Sequence, residues 1–182
     1  WLDEAFTAQL PEPNAMAVAT ANIDFKPSAR IVLLKGIEDG TFIFFSNYES
    51  RKGRELLWNP YATLLFFWND LHRQVRIEGR VKKIAEEKSD QYFSSRPYKS
   101  QLGSLVSPQS TVIPDRNFLE EKLAAAEKEF AEKKILRPPN WGGYQVIPQA
   151  IEFWQGRKSR LHDRILFTLV DKNQWKLERL AP

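Results

Sequence analysis

Hydrophobic positions in this chain fall in short runs broken by turn residues, and few repeat at helical spacing. Runs at 15–21, 30–35 (RIVLLK), 41–46 (TFIFFS) and 62–68 are rich in β-branched and aromatic residues and are short enough to be strands. The run 30–35 reads as a buried strand. It is expected to form a hairpin with 41–46 through the turn-rich 36–40, and 22–27 reads as a turn. A longer strand over 73–84 puts Val75, Ile77 and Val81 inside, with Gly79 as a bulge. Strands at 144–147, 151–155, 160–170 and 175–180 follow, the last two joined by 171–174. Helical spacing is clearest over 115–134, where Leu119, Leu123, Ala126 and Phe130 share a face. Shorter helices are expected at 1–10, closed by Pro11 and Pro13, and from the cap Ser50 to Trp58, ended before Pro60. Two more lie at 86–95, stopped by Pro97, and at 100–106, capped by Ser100.

The strands come in hairpins rather than in βαβ units. The expected class is mainly β: an antiparallel barrel or roll with helices packed outside, and not a Rossmann fold. No repeat or linker-like stretch interrupts the 182 residues, so one domain is expected over 1–182. A chain of this length buries roughly 70% of its unfolded surface and needs no staple.

Composition narrows the chemistry. There is no cysteine, which removes disulfides, thiolate metal sites and thiol catalysis. His72 and His162 are the two histidines, so a histidine-rich metal centre is not expected. The lack of cysteine fits a cytoplasmic location. The sequence opens on Trp1, so a preceding segment is expected. Lys and Arg number 27 against 23 Asp and Glu, a net charge of +4. The excess suits anionic partners. It is split into short groups, Arg51/Lys52/Arg54, Arg73/Arg76/Arg80 and Arg157/Lys158/Arg160/Arg164, while acids gather in 115–132. Small separate groups suit discrete phosphates better than a continuous polyanion.

Five segments carry candidate chemistry, each with a plainer reading beside it. Ser50-Arg51-Lys52 opens a helix, where free N–H groups and the dipole favour an anion; basic residues there oppose the dipole unless something offsets them. On a strand, Arg160, His162 and Arg164 share a face, which either gathers an anion or spreads into solvent. Trp154 before them either stacks on a planar ligand or is core. Gln74 and Arg76 face away from Val75 and Ile77; a glutamine there reads a heterocycle edge or simply meets water. Tyr92, Arg96 and Ser100 flank Pro97 and form a phosphate cradle or an ordinary helix corner. Nucleotide-binding glycine loops, zinc motifs and a nucleophile elbow are missing. An organic cofactor supplying the reactive group fits that inventory.

Taken in order, RIVLLK (30–35), SNYESRKG (46–53), RQVRIEG (73–79), YFSSRP (92–97), SQLGSLVSPQS (100–110), NWGGY (140–144), EFWQGRKSRLHDR (152–164) and ERLAP (178–182) resemble the pyridoxamine 5′-phosphate oxidase family along nearly the whole chain. The resemblance implies an FMN-binding split β-barrel, an antiparallel Greek-key-like roll whose segment from about 140 to 182 completes the barrel and the active site. It also implies a homodimer with active sites at the subunit interface. The implied reaction oxidises pyridoxine or pyridoxamine 5′-phosphate to pyridoxal 5′-phosphate, with O2 as acceptor and H2O2 released. No nucleic acid and no membrane is an implied partner.

By motif, the resemblance implies FMN contacts at Arg30, Ile31, Val32, Leu33, Leu34, Lys35, Phe45, Ser46, Arg51, Lys52, Gln74, Gln109, Ser110, Trp154 and Arg164. The implied substrate contacts are Lys35, Tyr92, Arg96, Ser100, Arg160, Leu161 and His162, with Arg160 and His162 as the catalytic pair. Phe25 stands where a turn glycine is expected, and Phe45 where tyrosine is common. Arg30 and Lys35 are five apart, so on a regular strand they point to opposite faces. For both to face one ligand set, the strand must bulge or end before Lys35. The alternatives are a related split-barrel flavin oxidase acting on another aromatic substrate, such as one of phenazine biosynthesis, a non-enzymatic nucleic-acid-binding barrel, and a carrier of pyridoxal 5′-phosphate.

Overall fold

In the computed structural model, which describes residues 1–172 and 174–182, strand β1 (Ala15–Ala21) alternates cleanly: Met16, Val18 and Thr20 are buried between half-exposed neighbours. It pairs antiparallel with β2 (Pro27–Leu33) on one side and β5 (Tyr61–Trp68) on the other. β6 (Arg73–Lys83) follows, and beside it runs the 15-residue β7 (Trp141–Gln155). The far edge of β7 is shared. Its first half pairs with β4 (Thr41–Asn47), which carries β3 (Gly36–Glu38); its second half pairs with β8 (Asp163–Asp171), which carries β9 (Gln174–Arg179). The result is one curled antiparallel half-barrel sheet, mainly β as expected.

The segment 30–35 does not hairpin with 41–46. β2 pairs with β1 instead, and 36–38, which reads as turn, is a three-residue strand that hairpins with β4 through Gly40 at φ 73°. Beyond β2 the chain crosses from one sheet edge to the other. Leu34 N–H donates to Asn14 C=O and Lys35 N–H to Ile43 C=O, both at 2.8 Å. β2 is also not buried throughout: it is an edge strand, and Ile31 on its outer side is 66% exposed. The strand ends at Leu33, so the parity that separates Arg30 from Lys35 stops applying.

The expected strands 144–147 and 151–155 are one strand. Pro148 lacks an N–H, but it lies opposite the register shift at Glu78/Gly79, where the ladder is already interrupted. Gly79 is required there, because a Cβ would stand 2.2 Å from the Ile147 carbonyl oxygen. The expected strand 160–170 begins only at Asp163: Ser159 and Arg160 take φ of 58° and 60° and end any extended run. Asn173, in the expected 171–174 connection, lies outside the described residues. Phe25 takes φ 60°, the conformation for which a glycine is expected.

Helices cover the barrel: α1 (Leu2–Thr7), α2 (Arg51–Trp58), α3 (Glu86–Ser95), α4 (Tyr98–Val106) and α5 (Asn117–Glu129). Ser50 caps α2 through the Gly53 N–H at 3.3 Å, as expected. Ser100 does not cap α4, which starts directly after Pro97 and has no side-chain cap. The barrel core holds Met16, Val18, Phe44, Leu64, Phe66, Ile77, Tyr144 and Val146. A second core under the helices joins Phe93, Leu102, Ala126, Ile135 and Trp141. No helix among the described residues is long and apolar enough to cross a membrane.

Candidate active site

The N-terminus of α2 follows β4, so capping by Ser50 sets the direction of Arg51 and Lys52 beside Ser46. The N–H groups of Arg51 and Lys52 have no partner within the helix. Lys52 is 7% exposed, and its Nζ donates to Ser46 Oγ (2.8 Å), Ser50 Oγ (3.3 Å) and Gln109 Oε1 (3.4 Å). All three partners are neutral. Burial, then the charge of Arg30, push the Lys52 ammonium down to about 8, with Glu55 opposing. A second cationic group comes from the corner where α3 meets α4 at Pro97. Arg96 is half-buried, donates to Ser104 Oγ at 2.6 Å and sits over the Trp141 ring at 4.6 Å. Burial lowers its pKa as well. Tyr92, one turn earlier, stacks on Phe45 with centroids 3.8 Å apart, and Trp141 extends that aromatic wall.

These groups share one cavity of about 990 Å³. Of the residues expected at the site, Arg30, Ile31, Val32, Leu33, Lys35, Phe45, Ser46, Arg51, Lys52, Tyr92, Arg96, Ser100, Gln109 and Ser110 line it. Both Arg30 and Lys35 face it, because β2 ends between them. Lys35, Lys52 and Arg96 have no ion-pair partner among the described residues. Lys52 is buried and Arg96 half-buried, while Lys35 is exposed at the rim; keeping a buried charge without an opposite charge is costly, so this arrangement suits an anion. Leu34 turns into the barrel core instead. Sequence reasoning did not single out Ser28, Asn47, Ser104 or Trp141, all of which line the cavity. Trp141 sits in the NWGGY segment, but nothing in that pattern distinguishes a wall residue from core.

The remaining expected residues gather elsewhere, on the sheet surface formed by β6, β7 and β8. Gln74 is in register with Trp154, and Trp154 with Arg164, so the three form one row across three strands. Glu152, 3% exposed, holds Arg164 at 2.7 Å and Arg76 at 2.7 Å. Arg164 also donates to the Ala181 carbonyl at 2.9 Å. The His162 ring lies 4.7 Å from Trp154, and its Nδ1 accepts from the Arg157 N–H at 3.1 Å. Arg160 and Leu161 occupy the turn before β8. Arg160, His162 and Arg164 therefore do not share a strand face. Within one chain, this row and the cationic cavity are separate.

Two family models together match most of the chain. The family described as pyridoxamine 5′-phosphate oxidase matches residues 2–129, and the pyridoxine 5′-phosphate oxidase C-terminal dimerisation region matches residues 141–182. Pyridoxine/pyridoxamine 5′-phosphate oxidases of Trichormus variabilis and Cupriavidus necator are 53% and 56% identical to it over 182 residues, covering 100% of this chain and 85% of each relative. PhzG from Burkholderia lata, solved with tetrahydrophenazine-1-carboxylic acid, superposes with a TM-score of 0.94 at 34% identity, over 100% of this chain and 89% of that one. A pyridoxamine 5′-phosphate oxidase-related, FMN binding protein from Nostoc punctiforme shares the fold, with a TM-score of 0.79 at 15% identity over 100% of this chain and 95% of that one.

Proposed function

Because this chain belongs to the pyridoxamine 5′-phosphate oxidase family, we propose that it oxidises pyridoxine or pyridoxamine 5′-phosphate to pyridoxal 5′-phosphate, using FMN. The observation that carries this reading is one cavity in which Lys35, Lys52 and Arg96 stand without acidic partners among the described residues. FMN and a B6 vitamer phosphate each bring one phosphate, and the cavity offers two cationic groups. The donor set fits FMN: the α2 N-terminus with Arg30, Arg51 and Lys52 would hold its phosphate, and Ser46, Gln109 and Ser110 would meet its polar edges. When bound, FMN supplies the two-electron acceptor that O2 restores. The alcohol and O2 become aldehyde and H2O2; the amine consumes one water more and releases ammonia.

The chain's own residues bind and orient. Lys35, Tyr92, Arg96 and Ser100 take the substrate phosphate and leave the ring against the aromatic wall. Fixing the donor carbon in this way lowers the barrier by roughly several kcal/mol, as preorganisation does elsewhere. Residues 1–182 act as one unit, and the segment from about 140 to 182 completes the barrel and, in a homodimer, the partner's cavity. Gln74, Trp154 and Arg164 then reach cofactor from across the interface, and Arg160, Leu161 and His162 reach substrate. His162 Nδ1 accepts the Arg157 N–H, which leaves Nε2 as the ring nitrogen available to substrate.

The test is a visible spectrum of the purified protein, then pyridoxine 5′-phosphate added under air. A yellow protein that releases one peroxide per aldehyde supports the reading; a colourless protein overturns it. A second reading follows from the likeness to PhzG: a flavin oxidase acting on a phenazine precursor. Lys35, Tyr92, Arg96 and Ser100 in the cavity favour the phosphorylated substrate. Turnover of a reduced phenazine carboxylic acid, without turnover of pyridoxine 5′-phosphate, favours the second.

A further inference from the structure

One buried acid stands behind the cationic cavity. Glu55, on α2, is 5% exposed. Its Oε2 accepts from Thr20 Oγ1 and from Ser28 Oγ (2.7 Å) and pairs with Arg30 Nη2 at 3.4 Å; its Oε1 accepts from Arg51 Nε at 2.9 Å. The two hydroxyls that donate to Glu55 in turn accept from Arg30, Thr20 from Nη1 and Ser28 from Nη2, both at 2.5 Å. Apart from one Arg30 Nη1 contact to the Val18 carbonyl at 3.3 Å, the paths end on the one carboxylate, and Arg51 is held through Nε alone. Burial alone would raise the Glu55 pKa, but the hydrogen bonds from Thr20, Ser28, Arg51 and Arg30 outweigh it and hold it at about 2.

The plainer role for such a residue is fold stability. Buried ion pairs are weak stabilisers in general, and both arginines that Glu55 holds line the cavity. Charge also balances. Arg30, Arg51 and Lys52 carry three positive charges and Glu55 one negative, which leaves a net of two. A phosphate monoester carries about −1.5 to −2 at neutral pH.

We propose that Glu55 is a positioning residue: it fixes the guanidiniums of Arg30 and Arg51 so that they converge on the cofactor phosphate, and it touches no ligand itself. The inference rests on the reading of the cavity as an FMN site. It makes a prediction opposite in sign to simple electrostatics. Removing a negative charge beside an anion site tightens the anion if charge alone matters; it loosens the anion if position matters.

The experiment titrates FMN and riboflavin into flavin-free wild type, Glu55→Gln and Glu55→Ala, following quenching of flavin fluorescence. Glu55→Gln keeps the shape and one accepting oxygen, so it serves if the alanine variant does not fold. The expected result is an FMN affinity about tenfold weaker in Glu55→Gln, the loss of one or two charge-assisted hydrogen bonds. Glu55→Ala falls further, and riboflavin affinity is unchanged in both. FMN affinity unchanged or tightened in the variants overturns the inference. So does an equal loss for riboflavin, which marks a general structural role. A wild type that binds riboflavin as tightly as FMN overturns the cofactor-phosphate reading itself, and the inference with it.

Discussion

The guanidinium of Arg96 sits 4.6 Å from the centre of the Trp141 ring. A ring face attracts a cation without neutralising it, so Arg96 is held in place while its charge stays available to an anion. Ser104 takes only one of its N–H groups, at 2.6 Å. Lys35 lines the same cavity, also without an acidic partner among the described residues.

This arrangement gives the first prediction. Trp141→Leu is expected to raise KM for pyridoxine 5′-phosphate about tenfold, the size of one desolvated cation–π contact, with kcat changed less. Steady-state peroxide release measures both. An unchanged KM removes Trp141 from the substrate side of the site.

Lys52 sets a pH dependence. Its folded value of about 8 lies below its ordinary 10.5, and only the ammonium form attracts phosphate. FMN affinity is expected to fall as pH rises through about 8, by at most tenfold per unit, while riboflavin affinity stays level. Lys52→Met is expected to flatten the FMN curve. For stability the sign reverses. Between 8 and 10.5 the unfolded chain binds the extra proton, so this group makes the flavin-free fold more stable as pH rises.

Gly79 tests the bulge. A methyl group there meets the Ile147 carbonyl oxygen at 2.2 Å, and this is backbone that cannot swing aside. Gly79→Ala is expected to cost about 1–3 kcal/mol, read as a lower melting temperature of the purified variant.

Strand positions were legible where the physics was local. β1, β4, β5 and β6 match their hydrophobic runs, and the Gly79 bulge falls where a glycine interrupts an alternating strand. Ser50 caps α2 as its side chain predicts. Pairing was not legible: β2 joins β1 rather than β4, because a three-residue strand hides in turn-like composition and register depends on contacts distant in sequence. In the site, the basic residues of the resemblance segments marked the cavity, since cations on a helix start call for an anion. Glu55 escaped notice, because an acid on a short basic helix reads as a solvated partner until its burial is seen. The positive φ of Ser159 and Arg160 had no signal in the sequence, and with it the departure of His162 from the strand.

The division between the cavity and the Gln74–Trp154–Arg164 row gives a test by mixing. In a heterodimer of Arg96→Ala with Arg160→Ala, one site carries both changes and the other neither, if each site draws on two chains. Co-expressed subunits with distinct tags are expected to recover about half of wild-type activity, as two-fold symmetry requires. No recovery above the parent variants places both residues in one chain's site.

The central claim is that the cavity holds two phosphoryl groups, one on the cofactor and one on the substrate. The most direct measurement is anaerobic bleaching of the protein's visible flavin band on mixing with pyridoxine 5′-phosphate or with pyridoxine. Rapid bleaching by the phosphate ester is expected, with loss of at least about a hundredfold in apparent second-order rate without the phosphate, since two or more charge-assisted contacts are lost. Equal bleaching by both compounds, or none by either, contradicts it.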